Sequence, residues 1–327
     1  MQIPSLPNGA APKLVTVFGG SGFVGRYVVR ALAQRGYLVR VAVRRPDLAF
    51  HLQPLGNLGQ IKAVQANLRY RDSVDAAVKG ADYVVNLVGV LQEGGKQKFN
   101  AVHEFGARAV AEAARAAGAK LIHVSAIGAD ENSPAEYGKS KAKGEQAVFE
   151  TLKSAIVMRP SIIFGQEDGF FNRFASMACI SPALPLIGGG KTKFQPVYVG
   201  DIAEAIVAAV EGKASDGKTY ELGGPEILSF RECMELMLEE TGRKPMLVHL
   251  PWFMARMIGK LIGWFPGAPI TSDQVAMLEI DNVVSKEAIR RKHTLAGLGV
   301  QPTTLKSILP SYMVTYRAHG QFVQRDA

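Results

Sequence analysis

Tyr137 and Lys141 stand four positions apart in Tyr137-Gly138-Lys139-Ser140-Lys141, so on a helix they share one face. An ammonium beside a phenol stabilises the phenolate and lowers a pKa of about 10. Upstream, Ser125 follows the apolar run Leu121-Ile122-His123-Val124. Its hydroxyl could orient a carbonyl or alcohol while the tyrosine exchanges a proton and a nicotinamide gives or takes hydride. Tyr-x-x-x-Lys pairs occur on many solvated helices. This one gains weight from its position after a strand-end serine and a glycine-rich turn.

That turn follows the β-branched run Val15-Thr16-Val17-Phe18 and reads Gly19-Gly20-Ser21-Gly22-Phe23-Val24-Gly25 before a helix. Free amides and the positive end of a helix dipole meet there, which suits a pyrophosphate. The spacing is G-x-x-G-x-x-G rather than G-x-G-x-x-G, and a tight turn packed against a helix would use the same residues. The next strand ends Val41-Ala42-Val43-Arg44-Arg45. Arg44 lies near the point, about 20 residues on, where an NAD site places an acid for the ribose hydroxyls. A guanidinium there favours a 2′-phosphate, hence NADP(H) over NAD(H). Asp47 is the nearby acid that would support NAD(H), and two solvated arginines at a strand end are the plainer alternative.

These residues need a scaffold, and the pattern supplies one. From 13 to about 165, apolar strands (13–18, 38–43, 61–65, 83–88, 120–124, 154–160) alternate with helical stretches, notably 23–35 and the alanine-rich 100–117. This predicts an α/β fold, a doubly wound parallel sheet of Rossmann type, over 13–165, preceded by a disordered tail at 1–12. Residues 166–327 form mainly a smaller C-terminal, substrate-side region, with 194–212 returning to the first domain. There Phe194 to Val199 is expected to rejoin the sheet, and Asp201 with Glu204 to cap a helix. Ser229 and Glu232 form a second capping box, before a helix running to about Glu240.

Gly19-x-x-Gly22-x-x-Gly25, Ser125, Tyr137-x-x-x-Lys141 and Arg159-Pro160-Ser161 resemble the extended and atypical short-chain dehydrogenase/reductases. The resemblance implies a catalytic set of Ser125, Tyr137 and Lys141. It implies cofactor contacts at Ser21, Gly22, Phe23 and Val24, beside the cofactor-site residues Gly19, Gly25, Arg44, Tyr137 and Lys141 already singled out. Further contacts would fall at Asn67 and Leu68, at Asn86, Leu87, Val88 and Gly89, and at Pro160, Ser161, Ile162 and Ile163. Most members carry aspartate where this chain has Asn67; the amide keeps an accepting carbonyl and loses the charge. Longer segments, among them Phe18 to Val29, Leu55 to Gln60, Phe164 to Asp168, Asn172 to Met177 and Gln195 to Val199, resemble the alpha subcomplex subunit nine family of respiratory complex I. The likeness spans 14 to about 205 and is looser beyond. That family is understood to hold NADPH structurally, with no established turnover. The expectation is therefore an NADP(H)-binding protein with a structural, assembly or regulatory role at complex I or another quinone-linked membrane complex. The alternative is a free-standing NADP(H)-dependent reductase or dehydrogenase, in quinone or lipid metabolism, working through the Ser-Tyr-Lys triad.

Composition is consistent with this. The 327 residues carry a net charge of +9, but the basic residues are dispersed, and the densest run, Arg290-Arg291-Lys292-His293, reads as a solvated helix end rather than a nucleic-acid contact. Two cysteines form no disulfide framework, and no histidine stands at metal-ligand spacing from another histidine or a cysteine. Residues 251–265 hold both tryptophans, with Arg256 and Lys260 between them. They read as a helix either buried against the C-terminal region or lying on a membrane surface or partner. A short N-terminus without presequence features implies a bacterial homologue, cytoplasmic and peripheral to the inner face of the membrane.

Overall fold

The computed structural model describes residues 12–95, 97–262 and 271–318. Six strands follow the apolar runs: β1 (Leu14–Phe18), β2 (Leu38–Val43), β3 (Ile61–Gln65), β4 (Tyr83–Asn86), β5 (Lys120–Val124) and β6 (Ile156–Pro160). With Thr219–Leu222 they form a seven-stranded sheet in the order Thr219–Leu222, β6, β5, β4, β1, β2, β3. Every pairing in it is parallel. The fold is therefore the doubly wound α/β fold, with the strand order reversing between β1 and β4, where ligands bind outside the carboxyl ends. Val15, Val17, Val39, Val41, Val84, Val85 and Ile122 are buried, as strands covered on both faces require.

Helices α1 (Phe23–Gln34), α2 (Arg71–Val78), α3 (Phe105–Ala116) and α4 (Glu136–Thr151) flank this sheet. The alanines of α3 explain its packing: Ala107, Ala111 and Ala114 join Val110 in the core, so small side chains let α3 lie close to its neighbours. Residues 100–104, expected to be ordinary helix, form a π turn leading into α3. β4 stops at Asn86 rather than at 88, because the Val88 amide leaves the ladder and donates to Asn86 Oδ1 at 3.1 Å.

The chain divides into two compact units, one of 1–160, 200–222 and 286–301, the other of 161–199, 223–285 and 302–327. The return of Phe194 to Val199 to the large sheet is corrected. Pro196, which has no amide to donate, splits that stretch; Lys193–Phe194 pairs with Leu228–Ser229, and Val197–Tyr198 with Ile163–Phe164. The Asp201 cap is corrected too: the helix starts at Val199, so Asp201 lies in its first turn. The Ser229–Glu232 capping box is present, on the helix Phe230–Thr241. Arg290 and Arg291 end a short exposed helix and pair with Glu287, as a solvated helix end should.

In the second unit, Phe164, Phe171, Phe230, Met234 and Met237 form the core. The helix Trp252–Ile262 buries Ala255 and leaves Phe253, Met257 and Leu261 exposed, so burial accounts for only one of its faces. Trp264 and Phe265, the other end of the 251–265 stretch, lie outside the described residues. Among the described residues no helix is long and apolar enough to cross a membrane.

Candidate functional site

The glycine turn is built by close approach. A Cβ on Gly25 would lie 2.3 Å from the Gly19 carbonyl oxygen and 2.6 Å from Gly20, so only glycine lets α1 begin directly against the end of β1. Gly22 is the N-cap of α1 and has no side chain to accept from the first amides. Phe23, Val24 and Gly25 therefore have N–H groups with no acceptor inside the helix, an arrangement suited to an anion. The turn sits at the carboxyl edge of the sheet beside Leu87 and Val88, whose backbone a Cβ on Gly19 would meet at 3.4 Å.

A second cluster occupies the same edge of the first unit. Ser125, at the end of β5, has a buried Oγ with no hydrogen-bond partner. Lys141, on α4, is 6% exposed and donates to the Val124 carbonyl at 3.3 Å. Its ammonium lies 5.9 Å from the centre of the half-buried Tyr137 ring, so α4 does present both residues together. Burial brings the Lys141 pKa down to about 8, although Glu145 one turn on opposes the shift. Glu145 takes a two-pronged bond from Arg159 of β6, at 2.8 and 2.6 Å, which fixes α4 against the sheet.

Two histidines that the sequence did not single out complete the cluster. His123 is buried on β5, 3.2 Å from the Asn86 amide nitrogen, and burial with the nearby Lys141 charge lowers its pKa to about 3. His103, on the π turn, stacks on Phe99 at 5.4 Å and meets the Tyr137 ring edge-on at 5.6 Å. Burial, then Lys141, brings its pKa to about 3 as well. Neither histidine carries a spacing signal, since strand and helix partners distant in sequence create these environments.

At the end of β2, Arg44 is exposed and makes no ion pair or hydrogen bond among the described residues. Its neighbour Arg45 forks onto Asp47, with Nε and Nη2 bonds of 3.0 and 2.7 Å, and holds that carboxyl below its ordinary range. Asn67 follows β3, but its Oδ1 already accepts from the Arg69 amide at 3.2 Å. Arg69 Nε reaches the same oxygen at 3.4 Å. Leu68 packs where a Cβ on Gly106 would fall, tying this segment to α3. Pro160 ends β6 and accepts from the Ile127 amide at 2.9 Å. Ser161, Ile162 and Ile163 belong to the second unit. There the Ser161 hydroxyl and Ile162 amide both bond to Asn282 Oδ1, at 2.6 and 3.1 Å.

A nicotinamide dinucleotide fits this constellation. The free helix amides suit its pyrophosphate, Arg44 a phosphate, and the orphaned Ser125 Oγ a polar group brought from outside the chain.

A family model for the NAD dependent epimerase/dehydratase family matches residues 15–223. The chain is similar to NADH dehydrogenase (ubiquinone) 1 alpha subcomplex subunit 9, mitochondrial, of Arabidopsis thaliana. The two are 37% identical over 320 residues, 94% of this chain and 79% of that protein. It is also similar to a ceramide reductase of Caulobacter vibrioides, 35% identical over 73% of this chain and 74% of that protein. In fold it resembles an NADPH-dependent quinone oxidoreductase from Escherichia coli complexed with NADPH. That likeness has a TM-score of 0.70 over 91% of this chain and 98% of that one, at 18% identity.

Proposed function

The chain belongs to the NAD dependent epimerase/dehydratase family and to the complex I alpha subcomplex subunit 9 group within it. On that premise, we propose that it holds NADP(H) as a bound cofactor and acts in the structure, assembly or regulation of a quinone-linked membrane complex. The observation that carries the cofactor assignment is the pair of adjacent arginines: Arg45 neutralises Asp47 while Arg44 stays available for a 2′-phosphate. A carboxylate left unpaired there would repel that phosphate. The turn amides of Phe23 to Gly25 would take the pyrophosphate, and Tyr137 with Lys141 the nicotinamide ribose. When bound, the cofactor supplies hydride chemistry at its nicotinamide. Tyr137 would exchange a proton and Lys141 would favour the phenolate.

The partner assignment rests on the likeness to a subunit of NADH dehydrogenase. The helix Trp252–Ile262, with Phe253, Met257 and Leu261 exposed beside Lys260, suits peripheral contact with the cytoplasmic face of a bacterial membrane. Affinity purification from membranes should recover respiratory subunits together with the protein; recovery only from the soluble fraction, without them, would overturn this assignment.

One observation favours a second reading, that of a free-standing reductase. Ser125 Oγ is buried and unpartnered beside a desolvated Lys141, as a site awaiting a substrate carbonyl would be, and one relative is named a ceramide reductase. Hydride transfer to an acyl ketone or quinone that disappears in Tyr137→Phe would decide for it.

A further inference from the structure

His103 is a buried imidazole that neither the glycine turn nor the Ser-Tyr-Lys set employs, yet its bonds join the segment after β4 to helix α4, which carries Tyr137 and Lys141. The Val90 amide donates to its Nε2 at 3.0 Å, so that nitrogen is the bare one and the proton sits on Nδ1. Nδ1 lies 2.8 Å from Ser140 Oγ and donates to it, and the Ser140 hydroxyl in turn donates to the Tyr137 carbonyl at 2.7 Å. Both ring nitrogens are engaged and each donor is spent, which leaves His103 no proton to exchange with a ligand.

We propose that His103 is a positioning residue, a neutral latch that ties the segment Leu87 to Val90 to helix α4 and so sets where the nicotinamide end of the cofactor is held. The inference rests on the NADP(H) reading. A histidine that merely satisfied itself in the core would bond to whatever lay nearest. This one connects the segment just after β4 to the helix carrying Tyr137 and Lys141. A Cβ on Gly89 would lie 3.0 Å from Lys141 Nζ and 3.5 Å from His103 Nε2, so segment, ammonium and imidazole converge at one point. The backbone is shaped for it as well. Residues 100–104 form a π turn, a feature concentrated at functional sites, and α4 presses against it at Gly144, where a Cβ would strike the His103 carbonyl at 2.2 Å. Phe99 and Tyr137 then hold the ring from two sides.

The test separates the two ends of the cofactor. NADPH and adenosine 2′,5′-bisphosphate, which lacks the nicotinamide, are titrated into the wild-type protein, His103→Ala and His103→Gln, and the fluorescence of bound NADPH is recorded. The Gln carbonyl can accept from the Val90 amide as Nε2 does. We expect His103→Ala to bind NADPH about tenfold more weakly, the loss of one buried hydrogen bond's worth of order. Its bound NADPH should fluoresce as in a wetter site, the bisphosphate affinity should be unchanged, and His103→Gln should restore the wild-type values. If both ligands weaken together in His103→Ala, or neither does, or Gln fails to rescue NADPH binding, the latch is overturned. Absence of NADPH binding by the wild-type protein would instead overturn the cofactor reading from which the latch starts.

Discussion

The two ends of the proposed cofactor site share one sheet edge but opposite surroundings. At the glycine turn and Arg44 the groups are backbone amides and exposed charges. Ser125, Lys141, His103 and His123 are each 6% exposed or less. Charges at the open end are screened over about 10 Å at 0.1 M salt and cost the fold little. At the closed end burial has pulled His103, His123 and Lys141 from their ordinary pKa values, and such shifts are statements about stability. On the proposed reading cofactor choice is made at the open end, while the closed end holds ionisable groups that burial keeps from charging.

If closeness of approach sets the open end, Gly25→Val should be the most damaging change there, since backbone atoms at 2.3 and 2.6 Å have nowhere to go. We expect about 5 kcal/mol of lost stability, near the top of the single-substitution range, and no cofactor binding, read by denaturant melts and titration. Acid should strike the closed end next. His103 and His123 stay neutral in the fold down to pH about 3 and charge near 6.5 when unfolded. Their contribution is full above pH 6.5 and is lost as pH falls toward 3, on the order of 2 kcal/mol each by pH 5. Melts from pH 7 to 4 in the wild type and His103→Gln should show about half that slope removed in the variant.

Lys141 gives the same sign in a higher pH window. Its folded pKa of about 8 lies below the ordinary 10.5, so the unfolded chain binds more protons between them and stability should rise from pH 8 to 10.5. Lys141→Met should abolish that rise and stabilise the cofactor-free protein at pH 7 by roughly 3 kcal/mol while weakening NADPH binding. A destabilised Lys141→Met would show that the ammonium is better solvated than its burial indicates. The smallest effect belongs to the open end: Arg45→Ala should weaken NADPH binding a few-fold by freeing Asp47, and Arg45→Ala/Asp47→Ala should restore it. No recovery in the double variant would mean that Asp47 does not reach the 2′ position.

Periodicity and glycine spacing made the open end legible, because strand, turn and helix there are contiguous from Val15 to Gln34 and chemistry follows from local sequence. The i to i+4 pairing of Tyr137 and Lys141 was legible for the same reason. His103, His123 and the Glu145–Arg159 brace were not, because their roles arise from strands and helices brought together across sequence separations of 14 to 37. The Phe194 to Val199 stretch misled because a β-like composition does not reveal its partner, and Pro196 confined it to two short pairings.

The most direct test of the central claim is a calorimetric titration of the wild-type protein and Arg44→Ala with NADPH and NADH at low salt. The account predicts that the wild type binds NADPH at least about tenfold more tightly than NADH, and that Arg44→Ala closes the gap by weakening NADPH alone. Equal affinities in the wild type, or an NADPH affinity untouched by the loss of Arg44, would contradict it.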